Sequence, residues 1–181
     1  MRMPAPQPVT TIGELLALPE DGLRHELLDG EHVVTSAPTV RHQRTLAELF
    51  AALRPAFEGR RDVELLWSPA DIRLGLKTLV QPDLFVLARG APDADWKDAP
   101  VPYLVIEALT PSTAKQDRGT KRLIYLEAGV EEYWIVDPDG RVIERWQQGD
   151  ERPEIVDETL EWSLSLGVSG TINLAGLFER V

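Results

Sequence analysis

Two short segments of this 181-residue chain are apolar at every position, and they restrict the fold more than any other feature. Residues 84–88 read Leu-Phe-Val-Leu-Ala, and residues 103–106 read Tyr-Leu-Val-Ile. A strand that is apolar on both sides has to be covered on both sides, so each segment predicts a strand inside a layered sheet. Because two helical apolar patterns accompany these strands, we predict an α/β or α+β domain with a mixed sheet.

Each of these predicted strands has a carboxylate at one end. Asp83 follows Pro82 at the start of the first strand, and Glu107 follows the second apolar run. A buried carboxylate is costly unless it meets a cation, a hydrogen-bond donor or water. Two carboxylates with waters and substrate oxygens form the octahedral shell that magnesium prefers. We therefore predict that Asp83 and Glu107 bind Mg²⁺, with Mn²⁺ as a substitute; alternatively, each caps a turn or pairs with a surface arginine.

A helix is predicted from about residue 113 to residue 128, and three polar residues share one of its faces. Asp117, Lys121 and Tyr125 follow one another at four-residue spacing. Such a metal site, followed by a lysine on a helix, suits the hydrolysis of a phosphodiester. The Lys121 ammonium would then lie near the scissile phosphate, orient the attacking water and offset the charge that develops in the transition state. The competing interpretation is an ordinary surface ion pair beside an amphipathic tyrosine.

The charge of the chain restricts how it could hold nucleic acid. The net charge is −11, which argues against a broad non-specific grip, because such affinity comes largely from phosphate neutralisation. The predicted helix is a local exception, and we assign substrate contacts there to Lys115, Arg118, Arg122 and Tyr125. A solvated helix face is the alternative.

Glu26 is a further candidate, because it precedes the strong hairpin signal Asp29-Gly30. It could supply another carboxylate for a second metal or for water; a hairpin charge that faces solvent is the alternative. The three histidines, His25, His32 and His42, do not have the spacing of a metal-ligand cluster. We place these histidines either on the surface or beside the ligand residues, without contact to the metal itself.

The remaining composition bounds the class of protein. The chain has no cysteine, which excludes disulfides and thiolate metal sites. It lacks an apolar signal core and any stretch of membrane-spanning length, so we expect a cytoplasmic protein without membrane contact. We expect residues 1–9 to be flexible and residues 10–181 to form a single domain. Trp146 and Trp162 are interpreted either as core residues or as a homodimer surface.

Five segments occur in a characteristic order: HELLDGE at 25–31, QPDL at 81–84, LVIEALTPST at 104–113, the spaced set Asp117, Lys121 and Tyr125, and GVEEYWIVDP at 129–138. Together they resemble the Uma2 family of predicted restriction endonucleases, part of the PD-(D/E)XK nuclease superfamily. The resemblance covers roughly residues 10–147 and implies a nuclease-like domain. It implies a restriction-endonuclease-like core, in which a mixed central sheet is flanked by helices and extended by antiparallel strands.

The resemblance also implies roles for individual residues. Asp83 matches the proline-linked acidic ligand and Glu107 matches the second ligand. The superfamily usually has a lysine two positions after that glutamate, where this chain has Leu109. In this family the lysine lies on the following helix, which Lys121 matches, and Glu26 matches an N-terminal glutamate.

Two positions depart from the family pattern. Residue 25 is histidine where an aromatic residue is common, and residue 110 is threonine where serine is common. The leading expectation is a magnesium-dependent endonuclease acting on DNA. A catalytically silent nuclease fold used for binding or assembly stays open as the alternative, and so does a hydrolase of another phosphoester.

Overall fold

A six-stranded mixed sheet forms the centre of the fold, and the computed structural model describes residues 8–91 and 93–181. Most of the predicted flexible N-terminus, residues 1–7, lies outside the described residues. The strands are β1 Arg24–Leu28, β2 Glu31–Thr35, β3 Val63–Trp67, β4 Ile72–Gly75, β5 Thr78–Val80, β6 Leu84–Ala88, β7 Leu104–Ala108, β8 Glu132–Asp137, β9 Val142–Gln147, β10 Glu154–Val156, β11 Thr159–Leu164 and β12 Val168–Asn173. The helices are α1 Ile12–Leu16, α2 Val40–Leu53, α3 Ala114–Gln116, α4 Arg122–Glu127 and α5 Leu174–Phe178, with 3₁₀ turns at Arg54–Phe57 and Trp96–Asp98 and a π-helical segment at Asp117–Lys121.

The order of the strands confirms the mixed sheet expected from the sequence. The central sheet runs β10-β9-β8-β7-β6-β3, in which β7 and β8 are parallel and the other neighbours are antiparallel. A second antiparallel sheet runs β2-β1-β5-β4, and β11 pairs with β12. These two sheets are the additional antiparallel strands that the family resemblance implies.

The central strands β6 and β7 are buried on both faces, as their apolar sequences predict. On one face, residues such as Leu84 and Ile106 pack with Leu49 and Leu53 of α2. On the other face, Phe85 and its neighbours pack beneath the helix that runs through residues 114–127. Helices therefore cover both sides of the sheet, which is what an all-apolar strand requires.

Two local features of the sheets depend on tertiary pairing and cannot be identified from the sequence. The strands on either side of Ser68-Pro69 belong to different sheets, because β3 pairs with β6 whereas β4 pairs with β5. Strand β5, residues 78–80, is not apparent in the sequence. Three residues are too few to display the alternation that distinguishes a strand from a loop.

Burial decides between the two interpretations of the C-terminal tryptophans. Trp146 is 7% exposed and Trp162 is 4% exposed, and each belongs to one of the two large apolar clusters. Their interpretation as an exposed homodimer surface is therefore wrong, and core packing is correct. Among the described residues, no helix has the length and apolarity needed to cross a membrane.

Candidate active site

The pairing of β6 with β7 brings the two predicted metal ligands to the same edge of the sheet. Leu84 lies opposite Ile106 in this antiparallel pair, so Asp83 and Glu107 are the next residues outward on adjacent strands. Both carboxylates are buried, and both line one cavity of about 220 Å³. Their closeness follows from strand direction, because the start of one strand meets the end of its antiparallel neighbour.

Asp83 is held by three donors from three parts of the chain. Its Oδ1 accepts from Arg24 Nη2 at 2.8 Å, and its Oδ2 accepts from the Ala108 backbone N–H at 3.0 Å and lies 2.9 Å from His42 Nε2. Burial alone would raise the pKa of Asp83. The His42 hydrogen bond and the Arg24 charge outweigh burial, so the pKa lies below its ordinary value. Asp83 is therefore ionised.

Glu107 meets the helix across the cavity. Its Oε1 accepts from Lys121 Nζ at 3.0 Å and from the Tyr125 hydroxyl at 2.8 Å. Lys121 Nζ also lies 3.0 Å from Glu26 Oε2 and 3.8 Å from Asp117 Oδ1. At 3% exposure, Lys121 is not part of an ordinary surface ion pair.

The charges around Lys121 shift several ionisation equilibria. Burial would lower the pKa of Lys121, but Glu107, Glu26 and Asp117 outweigh it, so the pKa is raised and the ammonium keeps its charge. Burial raises the pKa of Glu107 well above its ordinary value, and neighbouring carboxylates add to this effect against the opposing charge of Lys121. Burial also raises the pKa of Tyr125, which therefore remains a proton donor toward Glu107.

Glu26 reaches this cluster from the hairpin β1–β2. Its Oε2 contacts Lys121, while its Oε1 accepts from the Gln81 backbone N–H at 2.8 Å. The side chain is buried, so the solvent-facing alternative does not describe it. Glu26 thus contacts Lys121 from strand β1 of the second sheet.

The chemistry of the cavity suits a divalent cation. Asp117 Oδ1 is buried without a hydrogen-bond partner among the described residues, and carboxyl groups outnumber permanent cations in the cavity wall by two. Carboxylate oxygens are the ligands that magnesium and manganese prefer. Within residues 8–91 and 93–181, no three Asp, Glu or His side chains enclose a metal position by themselves, so water and substrate oxygens would have to complete the shell. The charged groups in the cavity wall are Asp83, Glu107, Glu26, Asp117, Arg24 and Lys121.

The ionisation of Asp117 leads to a prediction about stability. Burial, with the charges of Asp83 and Glu26, raises the pKa of Asp117 from 3.8 to about 6 despite the opposing charge of Lys121. The folded state thus binds this proton more tightly than the unfolded state. Asp117 therefore lowers the free energy of unfolding at pH values above its folded pKa, where it is ionised in both states, and has no such effect below its unfolded pKa, where it is protonated in both states. Asp117→Asn is expected to increase the free energy of unfolding by about 1–3 kcal/mol near pH 8, and by much less near pH 4.

Urea denaturation of the metal-free protein at the two pH values measures this difference. Asp62→Asn is the matched control, because Asp62 is exposed, pairs with Arg60 and lies at the opposite end of the sheet. The control is not expected to gain stability near pH 8. A gain from Asp117→Asn that is equal at both pH values would contradict the prediction.

The predicted substrate-contacting residues do not line the cavity. Arg118 binds Glu144 and Asp137 on the far side of the helix, and Arg122 lies 4.4 Å above the ring of Trp146. Lys115 is exposed outside the cavity wall, and Tyr125 is buried behind Glu107. The structure therefore separates the three basic residues from the group formed by Asp83, Glu107, Lys121 and Glu26, whereas Tyr125 contacts Glu107 directly.

Two further residues contact Asp83: Arg24, which sequence reasoning missed, and His42, which it placed either on the surface or beside the ligand residues. Arg24 shares one face of β1 with Glu26, and this two-residue spacing is a signal that could have identified it. His42 lies in the first turn of α2 and is buried rather than on the surface. No spacing in the sequence connects it with Asp83, which lies 41 positions away.

A π-helical segment, Asp117–Lys121, carries two of the charged side chains into the cavity. Such segments often occur at functional sites, because they change the angle between residues on one helix face. Gly119 lies at the middle of the segment, and a Cβ there would meet nothing within 4 Å. No close contact with a neighbouring element therefore requires glycine at this position.

Comparisons with known proteins agree with this fold. The sequence matches the Uma2 family, described as "Putative restriction endonuclease", over residues 12–175. The structure is similar to the crystal structure of a "putative nuclease belonging to DUF820" from Anabaena variabilis ATCC 29413, with a TM-score of 0.78 and 19% sequence identity over 94% of this chain and 98% of that chain. At this identity the similarity shows the fold alone. No curated protein matches the chain.

Proposed function

The chain belongs to the Uma2 family of restriction-endonuclease-like proteins, and from this premise we propose that it is a metal-dependent endonuclease that hydrolyses phosphodiester bonds of DNA. One observation carries the proposal. Asp83, Glu107 and Lys121 come from two strand ends and a helix, and they meet in one buried cavity. Two acidic oxygen donors beside a permanent cation form a suitable site for the hydrolysis of a phosphodiester.

Each residue has a proposed role in this reaction. Asp83 and Glu107 would hold Mg²⁺ or Mn²⁺, which when bound supplies Lewis acidity and lowers the pKa of a coordinated water. Lys121 offsets the negative charge that develops on the phosphate as the water attacks. Glu26 and Tyr125 keep the lysine and Glu107 in place through the contacts at 3.0 and 2.8 Å.

One observation favours a catalytically silent binding or assembly module as a second candidate. Both oxygens of Asp83 already meet donors of the chain, and Glu107 already meets Lys121. The cluster is thus partly neutralised by its own cations. Nucleic-acid binding that is equal with and without magnesium, with no strand cleavage, would favour this candidate over the endonuclease.

Metal binding provides the first test of the proposal. Isothermal titration of Mg²⁺ or Mn²⁺ into the wild-type protein is expected to show binding that Asp83→Ala removes, because Asp83 supplies a ligand. Asp62→Ala, which removes an exposed carboxylate from the opposite end of the sheet, is expected to leave binding intact.

The titration also separates the proposal from its alternative. If the free protein does not bind metal, the same titration with a short DNA duplex shows whether substrate oxygens complete the shell. Supercoiled plasmid should then be cut with magnesium and left intact with EDTA. A protein that binds no metal with or without DNA, and cuts no plasmid, would contradict the proposed function.

A further inference from the structure

An apolar groove lies beside the candidate active site, between α2 and the end of β3. Its volume is about 280 Å³, and Trp67 in its wall is 58% exposed. One exposed apolar residue needs no explanation, but here two aromatic rings and several aliphatic side chains line the same groove. The wall consists of Gln43, Leu46, Ala47, Phe50, Trp67 and Leu84.

The groove and the catalytic cavity share a thin wall. His42 lines the cavity while the next residue, Gln43, lines the groove. In the same way, Asp83 lines the cavity while Leu84 lines the groove. Successive residues of a strand point to opposite faces, so the backbone at the start of β6, where Leu84 pairs with Trp67, separates the cavity from the groove at this end of the sheet. A DNA strand that crosses this end can place one phosphate in the cavity and a neighbouring base in the groove.

Trp67 is held in a defined position relative to Asp83. The backbone N–H of the next residue, Ser68, donates to the Asp83 carbonyl at 3.2 Å, and its hydroxyl donates to the Pro82 carbonyl at 2.8 Å. The indole meets the ring of Phe50 edge to face, with 5.0 Å between centroids. The exposed ring is thus pre-positioned and needs little ordering when a ligand stacks on it.

The chemistry of the groove fits a nucleobase. Its walls are aromatic and aliphatic, and the Gln43 amide can donate to and accept from the polar edge of a base. Stacking also suits a chain with a net charge of −11, because it adds affinity without further phosphate neutralisation. Bases in a duplex are already stacked on one another, so only an unpaired base can enter the groove.

We propose that Trp67 is a stacking platform for an unpaired base next to the scissile phosphate, so that the substrate is single-stranded or locally unpaired DNA. The inference rests on the proposed nuclease function, which it refines by naming the substrate class. The base lies against Trp67 and Phe50, and the adjoining phosphate lies in the cavity with Asp83 and Lys121.

Fluorescence anisotropy in EDTA tests the platform without any contribution from cleavage. The probes are a short fluorescein-labelled single strand of mixed sequence and the duplex with its complement. The wild type is expected to bind the single strand more tightly than the duplex. Trp67→Ala and Trp67→Leu are expected to weaken single-strand binding about 5- to 100-fold, whereas Trp67→Phe keeps most of it because the aromatic face remains.

Trp96→Ala is the matched control, because Trp96 is also partly exposed, packs against Phe85 and lies outside the groove. It should bind the single strand as the wild type does. The inference is overturned if Trp67→Leu binds the single strand like the wild type, or if the variant loses equal affinity for single strand and duplex. It is also overturned if the wild type fails to bind the single strand or does not prefer it to the duplex. Light scattering that shows a wild-type dimer and a Trp67→Ala monomer would assign the groove to a second copy and overturn it as well.

The two proposals fail in different ways. Magnesium-dependent cleavage that does not depend on Trp67 or on unpaired bases would overturn the platform and leave the nuclease intact. Single-strand binding that depends on Trp67, without cleavage under any metal condition, would overturn the nuclease alone and leave a single-strand binding protein.

Discussion

Replacement of Asp83 by asparagine is expected to reduce magnesium-dependent DNA cleavage by at least about 1000-fold, because a bound metal supplies several kcal/mol of transition-state stabilisation. An amide is a poor ligand for a hard divalent cation compared with a carboxylate of nearly the same shape. The rate of plasmid cleavage, measured with magnesium and with EDTA, gives the size of the loss.

The control for this variant has to account for stability as well. Asp83 meets donors from Arg24, His42 and Ala108, and an asparagine keeps only one acceptor oxygen for them. We therefore expect Asp83→Asn to lower the free energy of unfolding by about 1–3 kcal/mol. Activity is compared at a temperature where circular dichroism shows both proteins folded. Asp62→Asn should cut like the wild type, and full cleavage by folded Asp83→Asn would exclude Asp83 as an essential ligand.

Replacement of Lys121 by methionine is expected to lower the free energy of unfolding by about 3–5 kcal/mol near neutral pH, a large share of the stability of a typical domain. Methionine fills a similar volume but leaves the carboxylates of Glu26, Glu107 and Asp117 without the cation that they surround. Thermal unfolding in EDTA at about pH 8 and about pH 5.5 measures the loss at each condition.

The loss should depend on pH and on metal if its cause is electrostatic. In the variant, the pKa values of Glu107 and Asp117, which burial already raises, rise further without the lysine charge, so that protonation near pH 5.5 favours the folded state and part of the stability returns. Magnesium should restore stability as well, because it replaces the missing positive charge. Lys115→Met is the matched control, since Lys115 lies exposed on the same helix. An equal loss at both pH values, unaffected by magnesium, would indicate lost packing instead.

Local sequence patterns predicted the elements that carry the candidate site. The apolar runs before Glu107 and after Asp83 are strands β7 and β6, and Asp29-Gly30 is the hairpin turn after Glu26, with positive φ at both residues. The four-residue spacing correctly placed Asp117, Lys121 and Tyr125 on one buried helix face. These features are predictable because strand alternation, turn chemistry and helix period depend on residues close together in the chain.

The family resemblance added what local patterns cannot give, namely which distant segments contribute residues to one site. It linked five separate segments and implied that the lysine lies on the helix rather than two residues after Glu107. The observed mixed sheet and the match over residues 12–175 confirm the family and the fold. The roles of Asp83, Glu107, Lys121 and Glu26 in catalysis stay predictions until the variants are measured.

Only the tertiary structure decided which partners the charged and aromatic side chains have. Arg24 and His42 reach Asp83 across 59 and 41 residues of sequence, Arg118 turns to Glu144 instead of the cavity, and Trp146 lies in the core. The helical or strand period of a sequence identifies the face on which a side chain lies. The partner of that side chain depends on which elements pack against the face. Here β1 and α2 pack near the ends of β6 and β7, and this packing makes Arg24 and His42 part of the candidate site.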